Sequence, residues 1–201
     1  MGITERRIRQ KEQIRAAILE AAWRLVLEEG WQSLSIRKIA EAIEYSVPVV
    51  YDHFENKEAI LLELTRHGFQ LLNKELMSAQ EKTADPEKQI KLMADAYWEF
   101  AFNNKAYYQV MYGLGIPSCE MVNQISELGS FTDLVLQPMK KLIANSDHPD
   151  TDPFLKLHTF WSMLHGLISI NMMGNQQSNK EELNKAVIQD FIQAFIFGLK
   201  S

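Results

Sequence analysis

The sequence predicts an all-α protein of about nine helices, and three observations carry that prediction. Apolar residues recur at helical spacing almost from end to end, the gaps hold residues that start or stop helices, and no segment alternates at the period of two that a strand requires. The first face is built by Ile14, Ala17, Ile18, Ala21 and Leu25 at i, i+3, i+4, i+7 spacing. Gly30 stops that helix, because glycine takes the left-handed C′ position without a Cβ clash. Ser35 caps a short helix through Ile43, with Ile36, Ile39, Ala40 and Ile43 inward. Ser46 caps another of about Val47 to Phe54, in which Pro48 falls in the first turn, where a missing N–H costs little. Asn56 caps a long helix towards Gln80. Asp85-Pro86 begins one carrying Tyr97, Trp98, Phe100 and Phe102, and Asn104 caps a short one ending at Gly113. Gly113, Gly115 and Pro117 mark a break, followed by a helical pattern from about Glu120 to Ala144. A loop, Asn145 to Pro153, leads into two apolar helices of about Pro153 to Met173 and Lys180 to Leu199.

Composition narrows the function. The 201 residues, 46% hydrophobic and 23% charged, are enough for one or two small globular domains. No apolar run is long enough for a membrane span, and the N-terminus lacks a signal-peptide core, so no membrane partner is expected. The single cysteine, Cys119, forms no internal disulfide and suits a reducing cytoplasm. It has two readings, a small packing residue and a redox switch. The net charge of −5 argues against indiscriminate coating of nucleic acid, but Arg6, Arg7, Arg9, Lys11 and Arg15 face only Glu5 and Glu12 in the first fifteen residues.

No enzyme is expected. There is no HExxH, P-loop, nucleophile elbow or carboxylate pair. His158 and His165 share a helix face, yet two turns put them about 10 Å apart, too far for one metal ion. No metal and no cofactor are expected.

Two short helices joined by a three- or four-residue turn make a helix-turn-helix over residues 34–53. The second helix is too short to stand alone and needs bracing by its neighbours. Tyr51 and His53 at its end, and Lys57 at the start of the next helix, place hydrogen-bond donors within reach of phosphate oxygens, while Phe54 reads as core.

These residues resemble a known family. "IAEAIEYSVPVVYDHFENKEAIL", Ile39 to Leu61, is similar to the DNA-binding motif of the TetR family of bacterial transcriptional repressors, and "ILEAAWRLVLEEGW", Ile18 to Trp31, looks like that family's first helix. "FWSMLHGLIS", Phe160 to Ser169, resembles a Trp-x-x-x-His-Gly segment of some members. The family's turn glycine is replaced here by Glu44, which in a left-handed conformation would cost roughly 1–2 kcal/mol. The resemblance implies a DNA-binding domain over residues 1–57, and an effector-binding and dimerisation domain over 58–201. It places Ser35, Arg37 and Lys38 of the supporting helix at DNA with Ser46, Val47, Pro48, Val49, Tyr51, His53 and Lys57. That face has no Arg, Asn or Gln in the recognition helix for bidentate base contacts, so Arg37 is the favoured charged reader. Asp52 either accepts from a cytosine amino group or points away.

Partners follow: a double-stranded DNA operator with two-fold symmetry, a second copy of the chain, and a small-molecule effector. The dimer is expected from Phe154, Leu157, Phe160, Trp161, Leu164, Leu167 and Ile168 on one helix and Val187, Phe191, Ile192, Phe195, Ile196 and Leu199 on the other, stripes broader than one core needs. An effector site is expected from Trp98, Phe102, Tyr108, Met111, Tyr112, Phe131, Trp161 and His165, largely apolar with one or two polar groups. The competing reading of that set is plain core, and His165 is either a helix-packing or a pocket-lining histidine. A non-enzymatic alternative for the whole chain is a helical adaptor that binds protein and keeps the helix-turn-helix only as a fold.

Overall fold

A computed structural model describes residues 3–113, 125–173 and 180–200. Among them lie nine α-helices: α1 (Ile3–Glu29), α2 (Ile36–Ala42), α3 (Val47–Tyr51), α4 (Lys57–Gln80), α5 (Pro86–Asn103), α6 (Lys105–Tyr112), α7 (Ser126–Ala144), α8 (Pro153–Met173) and α9 (Lys180–Lys200). A single 3₁₀ turn, Trp31–Ser33, follows α1. The all-α expectation holds. Cys119, Gly115, Pro117 and the start of the pattern expected from Glu120 lie outside the described residues.

The chain divides into two compact units, Met1–Phe69 with Asn104–Ile125, and Gln70–Asn103 with Ser126–Ser201. The first unit is centred on Ile18, Ala22 and Val26 of α1, Ile39 of α2, Val50 of α3, Phe54, and Ile60 and Leu61 of α4, with Val110 of α6 against them. α6 lies close to its neighbours. Tyr107 stacks on Trp23 with ring centroids 3.7 Å apart, and a Cβ on Gly68 would come within 2.6 Å of the Met111 sulfur. Gly113, which ends α6, likewise has no room for a side chain, since its Cβ would meet the Gln109 carbonyl at 2.3 Å and the Trp31 ring at 3.0 Å.

Several caps fall where the sequence puts them. The Lys38 N–H donates to Ser35 Oγ at 3.3 Å, Ala59 N–H to Asn56 Oδ1 at 2.8 Å, and Phe154 N–H to Asp152 Oδ1 at 2.8 Å. Asn104 occupies the cap position of α6 without a side-chain capping bond. Gly30 has the positive φ expected of it, but its φ of 82° and ψ of 156° lie in the extended mirror region that essentially glycine alone visits, not the left-handed helical one.

In the second unit α7 contains a proline that its helical spacing does not foretell. Pro138 has no N–H to offer the Leu134 carbonyl one turn earlier. Gln80 Nε2 donates to that carbonyl at 3.4 Å and to Gln137 Oε1 at 2.8 Å, so α4 supplies the donor that α7 lacks. At the α4–α5 turn, Gln89 Nε2 donates to the Gln80 and Thr83 carbonyls. α8 and α9 bury Leu157, Phe160, Leu164 and Ile168 against Ile188, Ile192, Phe195, Ile196 and Leu199. Most of the two stripes expected to meet a partner therefore serves this unit's own core. The faces left in solvent carry Leu155, Met163 and Ile170 on α8, and Leu183, Val187 and Phe197 on α9. No helix among the described residues is long and apolar enough to cross a membrane.

Candidate nucleic-acid interface

The turn between α2 and α3 is Ile43 to Ser46. Glu44 has φ 59°, the one positive φ among the described non-glycine residues. Its N–H donates to Glu41 O at 3.2 Å, and the next N–H, of Tyr45, reaches back to Ala40 O at 3.0 Å. These two bonds are the paired closures of a Schellman motif with glutamate at the position glycine usually holds. The motif reverses the chain within four residues and so sets α3 against α2.

α3 is shorter than expected, ending at Tyr51 rather than Phe54. The Asp52, His53 and Phe54 N–H groups still donate to Pro48 and Val50 carbonyls, but the chain then turns so that Phe54 enters the core at 4% exposure. Ser46 stands at the N-cap with no side-chain capping bond, so its hydroxyl is not spent on the helix. Ser46 and Pro48 are exposed, Val47 and Val49 half-buried and Val50 fully buried. Val47 also packs on the core of the first unit.

The donors have definite surroundings. Tyr51 is exposed. Lys57 Nζ donates to the Gln32 carbonyl at 3.2 Å, which keeps the ammonium at the start of α4 and leaves two of its three donors for another acceptor. The tie to Gln32 has no sequence signal, because nothing in the pattern foretells that the 3₁₀ turn comes beside Lys57. His53 is held below its ordinary value of 6.5 by burial first and by the Lys11 charge next. Asp52 opposes them and Arg15 adds to the depression. The ring is therefore neutral at pH 7, a hydrogen-bond donor rather than a cation. In α2, Arg37 pairs with Glu41 at 2.9 Å across an exposed turn, Lys38 pairs with Glu29, and Ser35 is engaged as the cap. Arg15 is structural: its guanidinium lies 4.3 Å from the Phe54 ring centre and binds Glu63 at 2.8 Å.

The residues expected to line an effector site are divided between the units. Tyr108, Met111 and Tyr112 belong to the first, where the two tyrosine rings lie 4.8 Å apart. Trp98, Phe102, Phe131, Trp161 and His165 belong to the second. There, Phe131 and Trp161 join Tyr97, Met93, Phe160 and Leu164 around a cavity of about 10 Å³, space for one water at most. Trp161 Nε1 donates to the Tyr97 hydroxyl at 3.1 Å, and the His165 ring is 5.7 Å from that of Trp161. Burial lowers the His165 pKa. Trp98 and Phe102 pair with each other at 4.6 Å.

Two short helices at a reversing turn, braced by α1 and α4, with Tyr51, His53 and Lys57 at and just beyond the end of the second, define a helix-turn-helix. Residues 18–64 match the family model described as bacterial regulatory proteins, tetR family, and residues 90–192 match tetracyclin repressor-like, C-terminal domain. The second match alone spans half the chain: this protein belongs to the tetR family of bacterial regulatory proteins, which are transcriptional regulators and not enzymes. An uncharacterised HTH-type transcriptional regulator of Mycobacterium tuberculosis is 23% identical over 164 residues, 80% of this chain and 71% of the relative. A solved structure of a Rhodococcus protein of unknown function has a TM-score of 0.72 at 21% identity, covering 93% of this chain and 95% of that one. The transcriptional regulator FadR from Bacillus subtilis, solved in complex with stearoyl-CoA, has a TM-score of 0.69 at 17% identity, covering 87% and 95%.

Proposed function

We propose that the protein is a repressor that binds a palindromic operator as a homodimer and leaves it when a small, largely apolar effector is bound. Residues 1–57 act as the DNA-binding head, and residues 58–201 carry effector binding and dimerisation. The observation that carries the reading is the recognition helix: α3 presents Ser46 and Pro48 to solvent between the donors Tyr51, His53 and Lys57 and the Arg37-bearing helix. A protein adaptor has no need of that arrangement.

Dimerisation is supported by the exposed faces of α8 and α9. Leu155, Thr159, Ser162, Gly166 and Ile170 recur at spacings of four and three, as do Leu183, Val187, Asp190, Ala194 and Phe197. Two such pairs meeting about a two-fold axis would form a four-helix interface and hold the heads about 34–36 Å apart, or a multiple. An apolar effector is supported by the aromatic and methionine composition of Trp98, Phe102, Tyr108, Met111, Tyr112, Phe131, Trp161 and His165. The B. subtilis fold relative was solved with stearoyl-CoA, whose acyl chain, though not its charged CoA part, is of that apolar kind. Side chains such as Phe131 and Trp161 must then part to admit it, and release follows if the ligand prefers the form that cannot bind DNA.

A gel-shift screen of genomic fragments, followed by footprinting, tests the proposal. The expected result is a retarded fragment with a protected palindrome, released by an acyl-type or similarly apolar compound. Absence of any fragment preferred over bulk competitor DNA would sink it.

A further inference from the structure

α1 outruns the core on which it is built. Its inward stripe, followed backwards from Ile18 through Ile14, continues at the same spacing to Lys11 and Arg7. Ile18 is fully buried and Ile14 half-buried, whereas every residue from Thr4 to Gln13 is exposed. The face thus turns from aliphatic to cationic where the head ceases to cover it. A solvated helix end needs no particular sign of charge. This one carries +3 over residues 3–15 in a chain of −5.

Two further observations say what the charge is for. Arg15, Arg37, Lys38 and Arg66 of the same unit are each ion-paired, while Arg6, Arg7, Arg9 and Lys11 pair with no acidic residue among those described. These four cations also border open grooves that reach both ends of the recognition helix. Arg7 and Lys11 share a groove of about 430 Å³ with Asp52 and His53, just after α3. Arg6 and Arg9 share one of about 490 Å³ with Tyr45, just before it. Asp52 is the acidic exception, and it would press an anion towards the α1 side.

We infer that the N-terminal extension of α1 is a second DNA-contacting element, in which Arg6, Arg7, Arg9 and Lys11 grip backbone phosphates flanking the base pairs presented to α3. The inference rests on the DNA-binding reading above and adds to it a contact that the helix-turn-helix itself does not contain. A duplex fits better than an acidic peptide because both grooves abut the one helix that must enter the major groove, so phosphates beside that groove are brought to them.

The test uses the full chain and a fluorescein-labelled 30-base-pair duplex of arbitrary sequence, since phosphate binding does not depend on an operator. Affinity is measured by anisotropy between 50 and 300 mM NaCl. Arg6→Gln/Arg7→Gln/Lys11→Gln, which keeps helix propensity, is expected to flatten the slope of log K against log salt by about 2–3, at roughly 0.9 for each phosphate no longer neutralised. Its circular-dichroism melting temperature should be unchanged, since these side chains are exposed. A charge-matched control, Lys82→Gln/Lys140→Gln/Lys141→Gln, should leave the slope alone. If Lys57→Ala flattens the slope and the α1 variant does not, the arm is overturned and the head stands. If the control flattens it equally, the effect is general charge and the arm is again overturned. If the wild type does not bind duplex at 50 mM salt, both readings fall.

Discussion

Replacing Glu44 with glycine should stabilise the protein. The residue holds φ 59° in the Schellman turn, is exposed, and makes no ion pair with any described residue, so truncation removes no contact of consequence among them. A left-handed conformation costs a residue with a Cβ about 1–2 kcal/mol. Glycine escapes that strain but gives the unfolded chain about 0.5–1 kcal/mol of extra entropy to lose. The difference leaves a net gain of about 0.5–1 kcal/mol, and for a chain of this size that corresponds to a rise of roughly 1–4 °C in melting temperature. Glu44→Ala is the control. It removes the same charge yet keeps the Cβ, so it should gain nothing from relief of strain. Melting of the three proteins by circular dichroism in one buffer separates the possibilities. If the alanine variant is as stable as the glycine variant, the gain comes from the charge and the backbone argument is wrong.

Lys57→Ala should weaken binding to every sequence and flatten its salt dependence by about 1, measured by anisotropy. An unchanged slope would remove Lys57 from the phosphate contacts. His53→Ala should weaken binding without altering the slope at about pH 8, above the range in which the bound ring takes up a proton. In the free protein the stability linked to His53 is full above pH 6.5 and is lost as pH falls through the depressed folded value, because the unfolded chain takes up the proton first. A phosphate beside the ring favours the proton, so DNA affinity should instead rise between pH 7.5 and 6. A binding profile that is flat in the wild type would refute the contact. Leu155→Asp/Phe197→Asp should yield a monomer at micromolar concentration by sedimentation, and a persistent dimer would place the interface elsewhere. Trp161→Ala should abolish release by a cognate effector while leaving operator affinity near wild type, read by gel-shift with and without ligand.

What could be read from the sequence depended on how local its cause was. Helices and their caps at Ser35, Asn56 and Asp152 follow from neighbours three or four residues away, and the structure has them there. The unusual backbone at Glu44 was legible through the family resemblance alone, which sets a glycine where this chain has glutamate. The end of α3 was not. Phe54 fits the helical spacing as well as Tyr51 does, and it is the core formed by α1 and α4 that takes its ring. The partner of Lys57 and the donor for the Leu134 carbonyl are contacts over 25 and 54 residues of sequence, outside any local pattern. The last two helices show the limit most clearly. Apolar stripes announce burial but not against what, and Leu157, Phe160, Leu164 and Ile168 turn inward while Leu155, Met163 and Ile170 remain outside.

These placements bear on how such a head could choose its sequence. α3 and its cap offer a base edge only a few groups: the Ser46 hydroxyl, the ring of Pro48, the half-buried Val49, and the part of Val47 not packed on the core. The valines and proline can contact thymine methyls, and the serine can donate or accept at either base. A bidentate contact of the Arg–guanine kind would supply about 1–3 kcal/mol of discrimination, and α3 has no residue able to make one. Arg37 gives only its Nε to Glu41, so its two Nη groups can add such a contact with the pair kept, or the pair can open at little cost because it is exposed on both sides. On the proposed reading, most of the affinity then resides in phosphate contacts from Tyr51, His53, Lys57 and the cations of α1. Such contacts are indifferent to sequence when counted singly, but not when two heads must satisfy them at a fixed separation. Selectivity would come from half-site spacing and from the cost of bringing flanking phosphates into place, which varies with the stiffness of the DNA. Changing the spacing between half-sites by a few base pairs should therefore hurt binding more than changing any single base within one.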